Sequence, residues 1–411
     1  SVPRQASAPP LPWPCCQDAP SPAAWRGSIV GMPRDDGRAL PLQALEAWFE
    51  RWEFEARHLL CCSDCETCTV RELLGDRVEE LLDLRLGYTE PRGSETLRKA
   101  IAQEYYTTMT ADDVMVFTGA EEAIYCAMST LEQGDRVVCI VPAYQSLWAC
   151  AQACGAEVSC LSLEERNGVW SLDLDLLEEA LKSLPTKLLV INAPHNPTGW
   201  YPTPSEFQRI VDLCSRHSVA LFSDEVYRGL EWTESNPAAC DTSATGVSLG
   251  VLSKAQGLPG LRLGWLATKD HALLDRCVEL KFYLTICVPG PCELMGEMAI
   301  AKNASLISAS RELIRGNLEA FERFLVEKPG WFQWAPPPSG CISFAKVVHP
   351  HVTHVTKWCE ELAERGILFL PGEYISPEWA GYVRIGFGRK DFQDNLRVLA
   401  ACLDETVAAL H

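Results

Sequence analysis

From about residue 94 onward, two hydrophobic periodicities alternate along the chain. Short unbroken apolar runs (Val114–Thr118, Val137–Val141, Leu188–Asn192, Ala220–Ser223, Val247–Leu252 and Leu263–Ala267) have the length and branched-residue content of buried strands. Between them lie segments with apolar residues at every third or fourth position: Leu97–Tyr106, Glu121–Leu131, Ser146–Cys154 and Pro204–His217. These predict helices. Strands separated by helices predict a mostly parallel sheet covered on both faces, an α/β fold.

After about residue 270 the pattern changes. A long helical stretch over 270–326 is interrupted at Val288-Pro289-Gly290-Pro291. Strands near Cys341–Ala345 and Tyr382–Gly386 and helices over 353–365 and 391–409 follow, which predicts a smaller α+β unit. Upstream, Leu42, Leu45, Trp48, Phe49 and Trp52 have helical spacing, so a helix is expected within 41–60. Residues 1–26 are rich in Pro, Ala and Ser and read as a tail.

Composition narrows the function classes. A length of 411 residues suits two to three domains at about 150 residues each. With 47 % apolar and 22 % charged residues, disorder throughout is excluded. The net charge of −19 argues against a nucleic-acid-binding surface, which needs a basic stripe. The chain has no apolar run long enough to cross a membrane. The 19 cysteines are an odd number, and many sit inside apolar runs such as Val137-Val138-Cys139-Ile140-Val141. They read as buried free thiols of a reducing compartment, the cytoplasm, or an organelle if a leader has been trimmed ahead of Ser1.

Four motifs carry candidate chemistry. In Ser253-Lys254-Ala255-Gln256-Gly257-Leu258-Pro259-Gly260-Leu261-Arg262 a hydroxyl, an amine and a guanidinium follow a strand within a Gly-rich turn. Arg suits phosphate, and a Lys near other cations can lose its proton to become a Schiff-base former. Asn192-Ala193-Pro194-His195-Asn196-Pro197-Thr198-Gly199 ends an apolar strand, where open α/β folds place ligands, and would otherwise be a plain turn. Ser223-Asp224-Glu225-Val226-Tyr227 ends another, with Asp224 a candidate acid or a simple helix cap. Thr118-Gly119-Ala120-Glu121 leads from a strand into a helix, whose first N–H groups can bind phosphate.

Together, these motifs resemble the fold-type I, class I/II aminotransferases that use pyridoxal 5′-phosphate, over roughly residues 76–400. The resemblance implies a Schiff-base lysine at Lys254. It implies a carboxylate facing the pyridine nitrogen at Asp224, and Asn196 and Tyr227 hydrogen-bonded to the ring oxygen. It implies a phosphate site of Gly119, Ala120, Glu121, Ser253 and Arg262, with Tyr144 stacked on the ring. Arg384, in Tyr382-Val383-Arg384-Ile385-Gly386, would clamp the substrate α-carboxylate, and Tyr88 would reach the partner subunit's phosphate or else serve as a core aromatic. His195 is expected to be a packed neighbour.

The activity implied is transfer of an amino group between an L-amino acid and a 2-oxo acid, in a homodimer. The organisation expected is a tail over 1–40, a substrate-tuning segment over 41–75, a large cofactor-binding domain over 76–300 and a small domain over 301–411. A shorter likeness, in Ala39–Phe49 and Thr67–Leu74, is to enzymes of the capreomycidine synthase type, which eliminate and close rings on guanidino amino acids. A non-catalytic regulator on the same fold would need a DNA-binding module, which the acidic, Pro-rich start does not offer. Cys61, Cys62, Cys65 and Cys68, with His58 nearby, have spacing that can hold a metal, but free thiols are the expectation.

Overall fold

The computed structural model describes residues 30–31 and 40–408. Its centre is an eight-stranded sheet in the order Val30–Gly31, Glu157–Ser162, Arg136–Val141, Leu188–Asn192, Ala220–Asp224, Gly246–Val251, Leu263–Thr268 and Val114–Thr118. From Glu157–Ser162 to Gly246–Val251 neighbouring strands are parallel. Leu263–Thr268 runs against both its neighbours, and Val30–Gly31 is antiparallel at the far edge.

Both faces are buried, which is why these strands read as unbroken apolar runs. Val137, Cys139, Val190, Phe222 and Leu249 face the helices Gly119–Met128, Ser146–Ala153 and His271–Lys281. The alternate residues Val138, Ile140, Leu189 and Leu221 pack on Leu174–Ser183 and Pro204–His217. The Pro204–His217 helix starts on a reciprocal Thr203–Glu206 cap and has Pro at its first position, so its start was visible in the sequence.

A 25-residue helix, Asn303–Glu327, leads to a second, antiparallel sheet of Phe332–Gln333, Ile342–Val347, Tyr382–Gly386 and Leu370–Pro371. The segment before the large sheet belongs here. His58–Leu59 pairs in parallel with Ile367–Leu368, tying the start of the described chain to its end.

Three expectations change. The helix sought within 41–60 is only Ala44–Trp52, because the chain must turn at Glu53 to reach its strand partner at Gly366–Leu368. Leu42, counted on that helix, precedes it and is exposed. The stretch 270–326 is three helices, His271–Lys281, Gly290–Ala301 and Asn303–Glu327, with a second break at Lys302. Between 157 and 183 a strand, a hairpin and a helix went unread, since Glu157, Glu164, Arg166 and Asp173 dilute the apolar pattern. Apart from residues 30, 31 and 40, the tail expected over 1–40 lies outside the described residues.

Candidate active site

The four sequence motifs meet because strand direction collects them. The strands ending at Thr118, Val141, Asn192, Asp224 and Val251 all finish on one edge of the sheet, and the reversed strand starts there at Leu263. The turns beyond that edge line a cavity of about 540 Å³ with Ala120, Glu121, Tyr144, Asn196, Asp224, Tyr227, Ser253, Lys254 and Arg262, and Arg384 enters it from the strand Tyr382–Gly386 of the second sheet. Gly119 stands behind it, at φ +83°, and a Cβ there would run into the Arg262 guanidinium.

Lys254 is half-buried, and its Nζ donates to Ser63 Oγ at 2.9 Å. Burial lowers its pKa, and the Arg384 charge adds to that, while Asp64 opposes it. Asp224 is 4 % exposed and accepts only the Val226 N–H, at 3.2 Å. Its neighbour Glu225, equally buried, is paired with Arg228 at 2.8 Å. Asp224 has no such ion pair among the described residues, and burial pushes its carboxyl up to about 7. The Asn192 side chain donates to the Asp224 carbonyl at 2.8 Å and accepts the Asn196 N–H, fixing these two turns to each other.

Arg384 is 2 % exposed. Its Nε and Nη2 donate to the Cys61 carbonyl at 3.1 and 3.0 Å, and its Nη1 donates to Asn196 Oδ1 at 3.3 Å. A guanidinium has five N–H donors, so one is left on each terminal nitrogen. That is the number a carboxylate needs.

Pyridoxal phosphate can be tested against these residues. The buried Ser253 Oγ and Tyr227 hydroxyl have no hydrogen-bond partner among the described residues. Both line the cavity, where a polar group satisfies them. The Gly119–Met128 helix points its first N–H groups at the same space, beside Arg262. The buried, unpaired Asp224 suits a cationic ring nitrogen. The donor set fits the cofactor. The Glu121 carboxylate is turned to Ser146, so what it offers a phosphate is its backbone N–H.

Tyr88 is the one predicted residue left out. It is 89 % exposed and does not line this cavity. His195 is buried, bonded through Nδ1 to Thr198 at 2.8 Å, and burial takes its pKa down to about 3, which suits a neutral packed neighbour.

Several cavity residues had been given no part in this site. Glu46, Phe49 and Glu53 come from the Ala44–Trp52 helix and its C-terminal cap, one or two turns apart on one face, while Leu45, Trp48 and Trp52 fill the core from another. Cys62, Ser63 and Asp64 come from the loop after His58–Leu59. Glu46 accepts from the Tyr144 hydroxyl at 2.9 Å. Asp64 accepts both contacts of Arg389 Nη2, at 2.8 and 2.9 Å. Burial raises the Glu53 pKa, and the charges of Asp64 and Glu46 raise it further. The one sequence clue was i, i+3, i+7 spacing of Glu46, Phe49 and Glu53, which also describes an ordinary solvated face.

The cysteine cluster makes no metal centre. Cys61, Cys62 and Cys65 are buried, Cys68 is half-buried, and His58 Nδ1 is bonded to Asn395 at 2.9 Å. Among the described residues no group of three or more His, Cys, Asp or Glu could hold a metal, and all the cysteines are free. No helix of the described residues is long and apolar enough to cross a membrane.

Comparison with known proteins gives a consistent picture. The model of the aminotransferase class I and II family matches residues 69–401. The chain is 32 % identical to the capreomycidine synthase of Streptomyces vinaceus over 85 % of its own length and 90 % of that protein's. It is 28 % identical to the arginine–pyruvate transaminase of Pseudomonas aeruginosa over 84 % and 90 %. Among solved structures, a pyridoxal phosphate-dependent aminotransferase from Streptococcus suis superposes with a TM-score of 0.82 at 28 % identity, covering 89 % of this chain and 98 % of that one.

Proposed function

Because this chain belongs to the aminotransferase class I and II family of pyridoxal phosphate enzymes, we propose that its cavity takes the amino group from an L-amino acid with a cationic side chain and passes it to a 2-oxo acid. One observation carries this reading: Lys254, Asp224 and Arg384 share a cavity to whose opposite wall Glu46, Glu53 and Asp64 bring three carboxylates. The two relatives compared here support the substrate class, since one is named for arginine and the other for capreomycidine.

When bound, pyridoxal phosphate supplies an electron sink for the pair left at the substrate Cα. The chain's residues do the rest. Backbone N–H groups of Gly119, Ala120 and Glu121, the Ser253 hydroxyl and the Arg262 guanidinium would hold the phosphate. Asp224, once ionised, keeps a proton on the ring nitrogen. Asn196 and Tyr227 would bond the ring oxygen, and Tyr144 would cover the ring. Arg384 holds the α-carboxylate with its two remaining N–H groups and so orients the Cα–H bond. Lys254, the Schiff-base residue, would take the proton from Cα and hold it for return during the transfer.

We assign the small domain to 301–411 together with 41–75, which carries the substrate-tuning residues, and the large one to 76–300. Tyr88 is assigned to the site of a second copy in a homodimer. Its exposure, beside exposed Leu82 and Leu86, favours that role over a place in the core.

A second reading has one finding in its favour, the 32 % identity to capreomycidine synthase: loss of a group and ring closure on a guanidino amino acid. Incubating the holoenzyme with arginine and hydroxylated arginines, with and without 2-oxo acids, separates the two. An oxo acid that forms only when an acceptor is present supports transamination. A cyclised or dehydrated product without an acceptor supports the second reading, and turnover of neutral amino acids alone overturns the cationic substrate class.

A further inference from the structure

The loop over Leu60–Glu66 is pinned at nearly every residue. Gly386 N donates to the Leu60 carbonyl at 2.9 Å, and Arg384 holds the Cys61 carbonyl. Cys341 Sγ contacts the Ser63 carbonyl at 3.4 Å. Arg389 holds Asp64, Cys65 N donates to the Lys254 carbonyl at 3.2 Å, and Lys390 N donates to Glu66 at 2.9 Å. Gly257, Gly386 and Gly388 leave no room for a Cβ against the backbone of Glu66, Cys62 and Asp64. A side chain on so constrained a backbone is placed by the fold and cannot drift with solvent.

The side chain this frame delivers to Lys254 is Ser63. Its Oγ, 2.9 Å from Nζ, makes the one hydrogen bond of that amine among the described residues. Charges from every packed element surround the amine: Asp64 on the loop, Glu46 on the helix, Arg384 on the second sheet and Asp224 on the first. None of them is hydrogen-bonded to it.

We propose that Ser63 is a positioning residue for Lys254: its hydroxyl accepts an N–H of the free amine and holds Nζ where it takes up the cofactor and later meets the substrate Cα. This rests on the assignment of Lys254 as the working amine. A serine hydroxyl can accept from Lys254 while donating elsewhere, so the amine's hydrogen-bond partner is itself uncharged.

The test uses apoprotein with Ser63→Ala and Ser63→Thr. Cyanate carbamylates only the neutral amine, and mass spectrometry reads modification at Lys254 across pH. A hydrogen bond to a charged donor is worth about one pKa unit or more, so the Ala variant should titrate about one pH unit lower than wild type and the Thr variant like wild type. At a pH above both midpoints, where the amine is neutral in every variant, growth of the visible cofactor band after adding pyridoxal phosphate should be about tenfold slower in Ser63→Ala and restored in Ser63→Thr. An unchanged midpoint in Ser63→Ala, an unchanged rate of cofactor uptake, or a Thr variant that behaves like Ala would each overturn the proposal. A wild-type protein that shows no visible band and no Lys254 protection by the cofactor instead overturns the Lys254 assignment beneath it.

Discussion

The floor and the roof of the cavity are made in different ways. The floor is a row of turns at the end of one sheet, each directly continuing a strand: Gly119 follows Val114–Thr118, Asn196 follows Leu188–Asn192, and Asp224 and Lys254 follow the next two. The roof is a helix face and a loop, Gln43–Glu53 and Cys62–Asp64, held by residues more than 300 positions away such as Arg384 and Arg389. Floor residues are polar because a common cofactor must be held there. The roof carries the carboxylates of Glu46, Glu53 and Asp64, to which the proposed function gives the choice of substrate.

The severest test of the floor is Lys254→Ala. It should abolish the visible band of the bound cofactor and lower turnover at least about a thousandfold, since both attachment and proton transfer are lost. A retained band in the absorption spectrum would refute the assignment.

Asp224 offers the next largest effect. Its carboxyl stands near 7 in the folded chain, against a usual value near 4. A raised folded pKa contributes stability that is full below the unfolded value and lost as pH rises, here between about 4 and 7, and the shift corresponds to about 4 kcal/mol. The apoprotein should therefore lose thermal stability across that window. Added pyridoxal phosphate should raise Tm more at pH 8 than at pH 5, and Asp224→Asn should flatten the slope. Calorimetry at four or five pH values reads all three.

Arg384 joins the two regions, since it holds Cys61 in the roof and Asn196 in the floor. Arg384→Lys keeps the charge but loses the planar fork, and kcat/KM for the amino acid should fall about a hundredfold, mostly through binding. Steady-state kinetics with a panel of amino acids would show this as a loss common to all substrates.

The smallest effect is the most discriminating. Glu53→Gln and Glu46→Gln each should lower kcat/KM for cationic relative to neutral amino acids by about tenfold, the scale of one half-screened charge, while the cofactor spectrum stays as in wild type. An unchanged ratio removes the selectivity assigned to the roof.

Much of the floor was legible because its residues obey local rules. Leu188–Asn192, Pro204–His217 and Tyr382–Gly386 have the boundaries that the apolar pattern predicts, and Gly119 marks a turn with positive φ. In a mostly parallel sheet, motifs that follow its strands share an edge. The roof obeys no local rule. Glu46 and Glu53 sit on the polar side of an amphipathic helix, which in the sequence is indistinguishable from a water-facing side. Ser63 and Asp64 lie among cysteines that drew attention to metal chemistry, and their placement depends on a two-residue pairing with Ile367–Leu368 that is too short to leave a periodicity.

The glycines against which the roof lies give the fold an unexpected portability. Gly257 is on the lysine turn, while Gly386 and Gly388 follow Arg384, so the closest approaches to the 60–66 loop are to bare backbone, and Arg384 and Arg389 supply the side-chain grips. A bare surface makes few demands on the side chains of what lies over it. In the proposed reading residues 43–66 are a cartridge, exchangeable between relatives that keep these three glycines and two arginines, and an enzyme so grafted should inherit the donor's choice of amino acid.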